Sequence, residues 1–145
     1  MSSWKSVTTR PAARPPVSSV VLDASAALAL ILGEPGGDRV MALLRAQKAS
    51  VAMSSVNWCE TVTRLQRDSP IANAKKLTSI LPGVEIVAFS QAQAEAAAEF
   101  ARRSGALSLG DRACLALAQT RKATAWTTDK IWTQVKTVVP IEVLR

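Results

Sequence analysis

Short apolar runs alternate with longer amphipathic stretches along most of the chain. Val20-Val21-Leu22, stopped by Asp23, reads as a short strand. Ala24 to Leu32 follows as a helix closed by Gly33 and Pro35. Gly36-Gly37 marks a turn. Val40, Leu43 and Leu44 then recur at helical spacing between Asp38 and Lys48. Val51-Ala52-Met53 predicts a second strand, and Ser54 or Ser55 can cap a helix running to about Arg67. Pro70 opens a further helix reaching about Ile80, and Val84 to Phe89 is a third strand. Ser90 and Gln93 have capping-box spacing ahead of an alanine-rich helix to Arg103. Ser108 to Lys122 is another helix, Thr124 to Thr127 a fourth strand and Ile141 to Leu144 a fifth.

Strands separated by helices imply an α/β domain: a parallel sheet with helices on both faces. The strands are short and continuously apolar, as strands buried on both faces should be. Ligands of such open sheets bind outside the carboxyl ends of the strands. Residues 1–19 do not share the pattern. They carry Pro11, Pro15 and Pro16 with Lys5, Arg10 and Arg14, no acid and no apolar period. They read as a flexible basic tail, with the folded domain spanning residues 20–145.

Composition narrows the chemistry. At 145 residues, 48% of them apolar and 20% charged, the chain is one globular domain. It has no histidine, which excludes Ser-His-Asp and Cys-His nucleophile systems and every zinc site that needs imidazole. Cys59 and Cys114 are too few and too far apart for a disulfide framework or a four-ligand metal site. Both are expected to be buried, reduced helix residues. The N-terminal segment has no apolar core of a secretory signal. The longest apolar run, Ala26 to Leu32, is far short of the roughly 20 residues that a membrane span needs. The expectation is a cytoplasmic protein with no membrane partner.

Of 11 acidic residues, four fall just past a strand end or near a helix start: Asp23, Glu60, Asp111 and Asp129. In a parallel α/β sheet those places share one rim. Each acid also has a plain structural role to play. Asp23 and Asp129 suit N-caps, Ser108-Leu-Gly-Asp111 fits a capping box, and Glu60 stands four residues before Arg64. Convergence itself points to a cation. Two like charges about 4 Å apart repel by about 4 kcal/mol at an effective dielectric near 20. With oxygen ligands only, the cation should be hard, Mg²⁺ or Mn²⁺. Such an ion suits phosphodiester hydrolysis, since it activates a water and stabilises charge on the attacked phosphate.

The motifs Val21-Leu-Asp23-Ala-Ser25-Ala, Gly33-Glu34-Pro35-Gly36, Asn57-Trp-Cys-Glu60, Leu107-Ser-Leu-Gly-Asp111-Arg-Ala-Cys114-Leu-Ala-Leu-Ala118 and Thr127-Thr-Asp129-Lys-Ile-Trp132 together resemble the PIN-domain family. More narrowly, they resemble the VapC-type toxins of type II toxin–antitoxin pairs. The resemblance covers residues 20–145. It implies a three-layer α/β/α fold with a five-stranded parallel sheet. It also implies a Mg²⁺- or Mn²⁺-dependent endoribonuclease acting on tRNA or rRNA, a homodimeric state, and an antitoxin partner. Asp23, Glu60, Asp111 and Asp129 match the family's catalytic and metal-binding acids, with Asp23 and Asp111 as the direct ligands. Ser25 and Thr127 match positions that carry a supporting hydroxyl.

The formal charge of +7 suits a polyanionic partner such as RNA. The tail holds three basic residues and no acid, leaving 15 basic against 11 acidic residues, or +4, in the folded part. Arg45, Lys48, Arg102, Arg103, Arg121 and Lys122 lie near helix C-termini, where the dipole alone favours cations. Arg112, beside Asp111, and Lys130, beside Asp129, are the better RNA contacts, and Arg64, on the Glu60 face, is a weaker one. Trp58 and Trp132 are expected to pack under helices rather than stack on bases. The rival reading is a catalytically inactive PIN-like module that binds RNA or a partner; the intact acid quartet argues against it. A phosphoacceptor receiver or an Asp-x-Asp phosphatase is disfavoured, because Asp23-Ala-Ser25 lacks the second acid.

Overall fold

The computed structural model describes residues 18–68, 79 and 81–145. The predicted tail, apart from Ser18 and Ser19, and the predicted helix from Pro70 to Ile80, apart from Ser79, lie outside the described residues. The elements are β1 (Ser18–Leu22), α1 (Ala24–Leu32), α2 (Gly37–Ala46), β2 (Ala49–Ser54), α3 (Ser55–Asp68), β3 (Val84–Val87), α4 (Gln91–Arg103), α5 (Leu109–Arg121), β4 (Thr124–Thr127), a 3₁₀ turn (Lys130–Gln134) and β5 (Ile141–Val143). The five strands form one sheet in the order β3-β2-β1-β4-β5, and every neighbouring pair is parallel. The α/β reading therefore holds. β1 begins at Ser18, so two residues assigned to the tail belong to the sheet, paired with Ala49 and Ser50.

Strand alternation sorts the core into two sides. Val21, Ala52 and Ala125 share a register row and face α4 and α5, packing with Ala97, Phe100 and Leu115. Val20, Leu22 and Val51 point the other way, onto Ala26 of α1 and Val40 of α2. These are the two outer layers of a three-layer α/β/α domain. Residues 113–118 of α5 are all buried. A helix that is apolar around its whole middle must be covered on several sides; α5 meets β1, β2 and β4 of the sheet, α4 and α3. The α1–α2 corner is tight. A Cβ on Gly37 would overlap the Ala29 carbonyl, so only glycine fits that approach.

Local chemistry explains the helix ends. Ser54 Oγ accepts from Val56 N at 3.2 Å at the start of α3, while Ser55 Oγ accepts instead from Phe89 N at 3.0 Å. Ser90 caps α4 through Gln93 N, but Gln93 does not complete the expected box. Its carboxamide donates to Thr120 Oγ1 at 2.8 Å and ties α4 to α5. The capping box at Ser108 and Asp111 is complete. α2 ends at Ala46, earlier than the predicted Lys48, with Gln47 as its left-handed cap. The 3₁₀ turn was not predicted from the sequence pattern. Among the described residues, no helix is long and apolar enough to cross a membrane.

Candidate active site

Because the strands are parallel, the ends of β1, β2, β4 and β5 lie on one rim, and the acids are delivered there. Leu22 pairs with Trp126, and Asp23 N donates to Trp126 O at 3.1 Å, which sets Asp23 at the mouth between β1 and β4. Asp23 is only 5% exposed and caps α1. Its Oδ1 accepts from Ala26 N at 2.8 Å and from Ser25 Oγ at 2.7 Å; its Oδ2 accepts from Thr127 Oγ1 at 2.6 Å. Ser25 and Thr127, the predicted supporting hydroxyls, are thus both on this carboxylate. Burial pushes the Asp23 carboxyl up to about 6. The three donors pull it back and the nearby Asp111 adds to the rise.

Glu60 reaches the same rim from α3 across the first turn of α5. Asn57 Nδ2 donates to Glu60 Oε1 at 3.0 Å and to Gly110 O at 3.0 Å, so one buried carboxamide binds the two helices and aims the acid. A Cβ on Gly110 would collide with the Glu60 carboxylate. Partial desolvation raises Glu60, Asn57 lowers it, and Asp111 raises it further. Asp111 Oδ2 accepts from Ser108 N at 3.0 Å, and its Oδ1 accepts from Trp132 Nε1 at 3.3 Å. Cys114 is fully buried one turn along α5. Its thiol is pushed well up by burial first, then by Asp23, Asp111 and Glu60 together.

Asp129 stands apart from these three. Its Oδ1 caps the 3₁₀ turn by accepting from Ile131 N at 3.0 Å, and its own N–H donates to Thr127 Oγ1 at 3.0 Å. It is joined to Asp23 through Thr127, whose hydroxyl donates to Asp23 Oδ2. Among the described residues, no three acid or thiol side chains are drawn into a ready cation-ligating cluster. The carboxylates perturb one another while each rests on protein donors.

The basic candidates separate. Arg64 pairs with Asp68 at 2.8 Å and not with Glu60, so the anticipated Glu60–Arg64 pair is replaced. Arg112 is half-buried, and its Nε is buried with no hydrogen-bond partner among the described residues. Lys130 is exposed beside Asp129. Trp132 is buried and Trp58 packs against the Met53 and Leu81 cluster, so both serve the core, as expected. Cys59 is exposed, contrary to expectation, because its neighbours Asn57 and Thr61 take the buried face of α3. Asn57 and Gly110 were not singled out from the sequence. The only signal was their place inside the motifs around Glu60 and Asp111.

This fold, with its acids at the carboxyl rim of a parallel sheet, defines a PIN domain: the family's model matches residues 20–138, and the chain belongs to that family. Among solved structures it is similar to a toxin–antitoxin complex from Klebsiella pneumoniae, with 19% identity and a TM-score of 0.68, covering 87% of this chain and 98% of that one. It is also similar to VapBC2 from Rickettsia felis bound to a promoter DNA fragment, with 18% identity and a TM-score of 0.61, covering 88% and 99%. A third is VapC20 of Mycobacterium tuberculosis, a sarcin–ricin loop cleaving toxin, with 20% identity and a TM-score of 0.61, covering 83% and 99%. These likenesses establish the shared fold. No curated protein sequence matches the chain.

Proposed function

We propose that this PIN domain is a Mg²⁺- or Mn²⁺-dependent endoribonuclease, the toxin of a toxin–antitoxin pair, with tRNA or rRNA as substrate. One observation carries the reading. A buried aspartate is built into the rim on three protein donors, with its proton affinity raised by burial and by the nearby Asp111. A carboxylate with that environment is costly unless a cation offsets it. The donors are all oxygens, so the residues fit a hard divalent ion. Asp23 and Asp111 would hold it, with Glu60 and Asp129 contributing directly or through water.

When bound, the ion supplies an activated water and charge stabilisation at the attacked phosphate. The chain's residues do the rest. Ser25, Thr127 and the Ala26 N–H fix both oxygens of Asp23. Asn57 fixes Glu60, which orients or deprotonates the attacking water. Arg112 and Lys130 bind the RNA backbone, whereas Arg64 is neutralised by Asp68 and contributes less. The antitoxin partner is supported by the similarity to a toxin–antitoxin complex; a homodimer is part of the same reading.

The test is cleavage of single-stranded RNA by the wild type, Asp23→Asn and Asp111→Asn, in Mg²⁺, in Mn²⁺ and in chelator. Cleavage should need both the acids and a cation. Cleavage that survives chelation or either substitution overturns the metal site. RNA binding with no cleavage in either cation would favour the inactive-module reading.

A further inference from the structure

Most arginine side chains among the described residues are neutralised. Arg39 pairs with Glu142 at 2.6 Å, Arg64 and Arg67 with Asp68, Arg102 with Glu99 at 3.3 Å, and Arg121 with Glu85 at 3.0 Å. Arg45, Arg112 and Arg145 have no acid partner among the described residues. Arg45 lies in the last turn of α2, which leads into the start of β2 and so sits at the opposite, amino edge of the sheet. The other two stand at the acid rim, where ion pairs would be easiest to form.

The position of Arg145 follows from strand register. Thr127 pairs with Val143, and Leu144 N donates to Thr127 O at 2.8 Å, so Arg145 lies just past the ends of β4 and β5. Its Nη2 donates to Thr128 Oγ1 at 3.3 Å. Thr128 is itself buried, and its N–H donates at 2.9 Å to Ser25 Oγ, the hydroxyl that holds Asp23. Arg145 is therefore two hydrogen bonds from the Ser25 hydroxyl. It makes no ion pair with Asp129, the residue next to its threonine anchor, whose Oδ1 is taken by Ile131 N. A guanidinium has five N–H donors in a fixed fork suited to a phosphodiester, and one donor is used here.

We propose that Arg145 is a second RNA-phosphate contact of the site, holding the backbone on the β5 side of the acids while Arg112 holds it on the α5 side. This rests on the ribonuclease reading above. Both guanidinium groups stay without acid partners because their counter-ion is the substrate. An exposed arginine held by one hydrogen bond adds little to the fold, so Arg145→Ala should melt close to the wild type.

The experiment measures binding of a fluorescent single-stranded RNA by anisotropy across a salt series, in an Asp23→Asn background that keeps the RNA intact. Arg145→Ala should weaken binding about tenfold and make the log–log salt slope shallower by about 0.7, the value for one lost single-strand phosphate contact. Arg145→Lys should keep the slope but recover only part of the affinity, and Arg45→Ala should change neither. In the wild-type background, Arg145→Ala should raise KM and leave kcat largely intact. Unchanged affinity and slope on Arg145→Ala overturn the proposal; if the wild type still cleaves RNA, the ribonuclease reading stands without it. A wild type that neither binds nor cleaves RNA in Mg²⁺ or Mn²⁺ overturns both.

Discussion

Asp23→Asn should stabilise the cation-free protein, and the gain should depend on pH. Burial raises the Asp23 carboxyl from 3.8 to about 6. An acid whose folded value is raised costs the fold nothing below its unfolded value. The cost grows as pH climbs from about 4 to about 6 and is complete above that. The shift of about two units corresponds to about 3 kcal/mol at pH 7.5, and to about 1 kcal/mol at pH 4.5, where the unfolded acid is only partly more ionised. The carboxamide keeps all three neighbouring donors paired and leaves only its own second N–H without an acceptor. Its oxygen keeps Ala26 N and Ser25 Oγ, its NH₂ donates to Thr127 Oγ1, and the Thr127 hydroxyl turns to Ser25 Oγ, already 3.2 Å away. Urea denaturation in chelator at the two pH values measures the effect. The variant's stability relative to the wild type should rise by about 2 kcal/mol between pH 4.5 and pH 7.5. Mg²⁺ at pH 7.5 should narrow the gap by stabilising the wild type alone. A variant less stable than the wild type at pH 7.5 in chelator, or a gap that ignores pH, would refute the account of the buried carboxylate.

Three further outcomes are expected. Gly110→Ala should hold or slightly raise the melting temperature, since alanine is the better helix former by up to about 1 kcal/mol. It should nonetheless lose RNA cleavage as Glu60→Gln does, because the new methyl displaces the Glu60 carboxylate; full activity would show that Glu60 need not lie across that turn. A thiol reagent should label one cysteine, Cys59, in the folded protein, and should reach Cys114 only in denaturant; mass spectrometry of the labelled peptides decides it. Asp129→Asn should stay within about 0.5 kcal/mol of the wild type in chelator, because asparagine caps as well as aspartate. A larger loss in a melting experiment would mean that the Asp129 charge itself stabilises the fold.

Strand and helix order was legible because it rests on local periodicity. Val20-Val21-Leu22 and Thr124 to Thr127 are strands as read, and Ser108 caps α5 as its spacing required. The candidate acids were legible for a related reason. In a parallel sheet, residues after strand ends must share a rim, whatever the details of packing. Sequence order alone could not distribute the roles. Asp111 presses on both Asp23 and Glu60, while Asp129 caps its own 3₁₀ turn. Arg64 looked like a partner for Glu60 but pairs one turn the other way, with Asp68. Cys59 sits in an apolar-looking stretch, yet the rotation of α3 leaves it outside.

Tertiary contact decided what neighbours in sequence cannot specify. Asn57 and Gly110, 53 residues apart, form the seat of Glu60, and Thr127 reaches Asp23 from 104 residues away. Hydrogen bonds between distant segments leave no periodic trace, since either partner alone is an ordinary polar residue. The sequence by itself determined an α/β domain of the PIN family and the acids at its sheet rim. Only the folded structure buried Asp23, raised its proton affinity and left Arg112 and Arg145 without acid partners among the described residues, because burial and ion pairing depend on which chain segments meet.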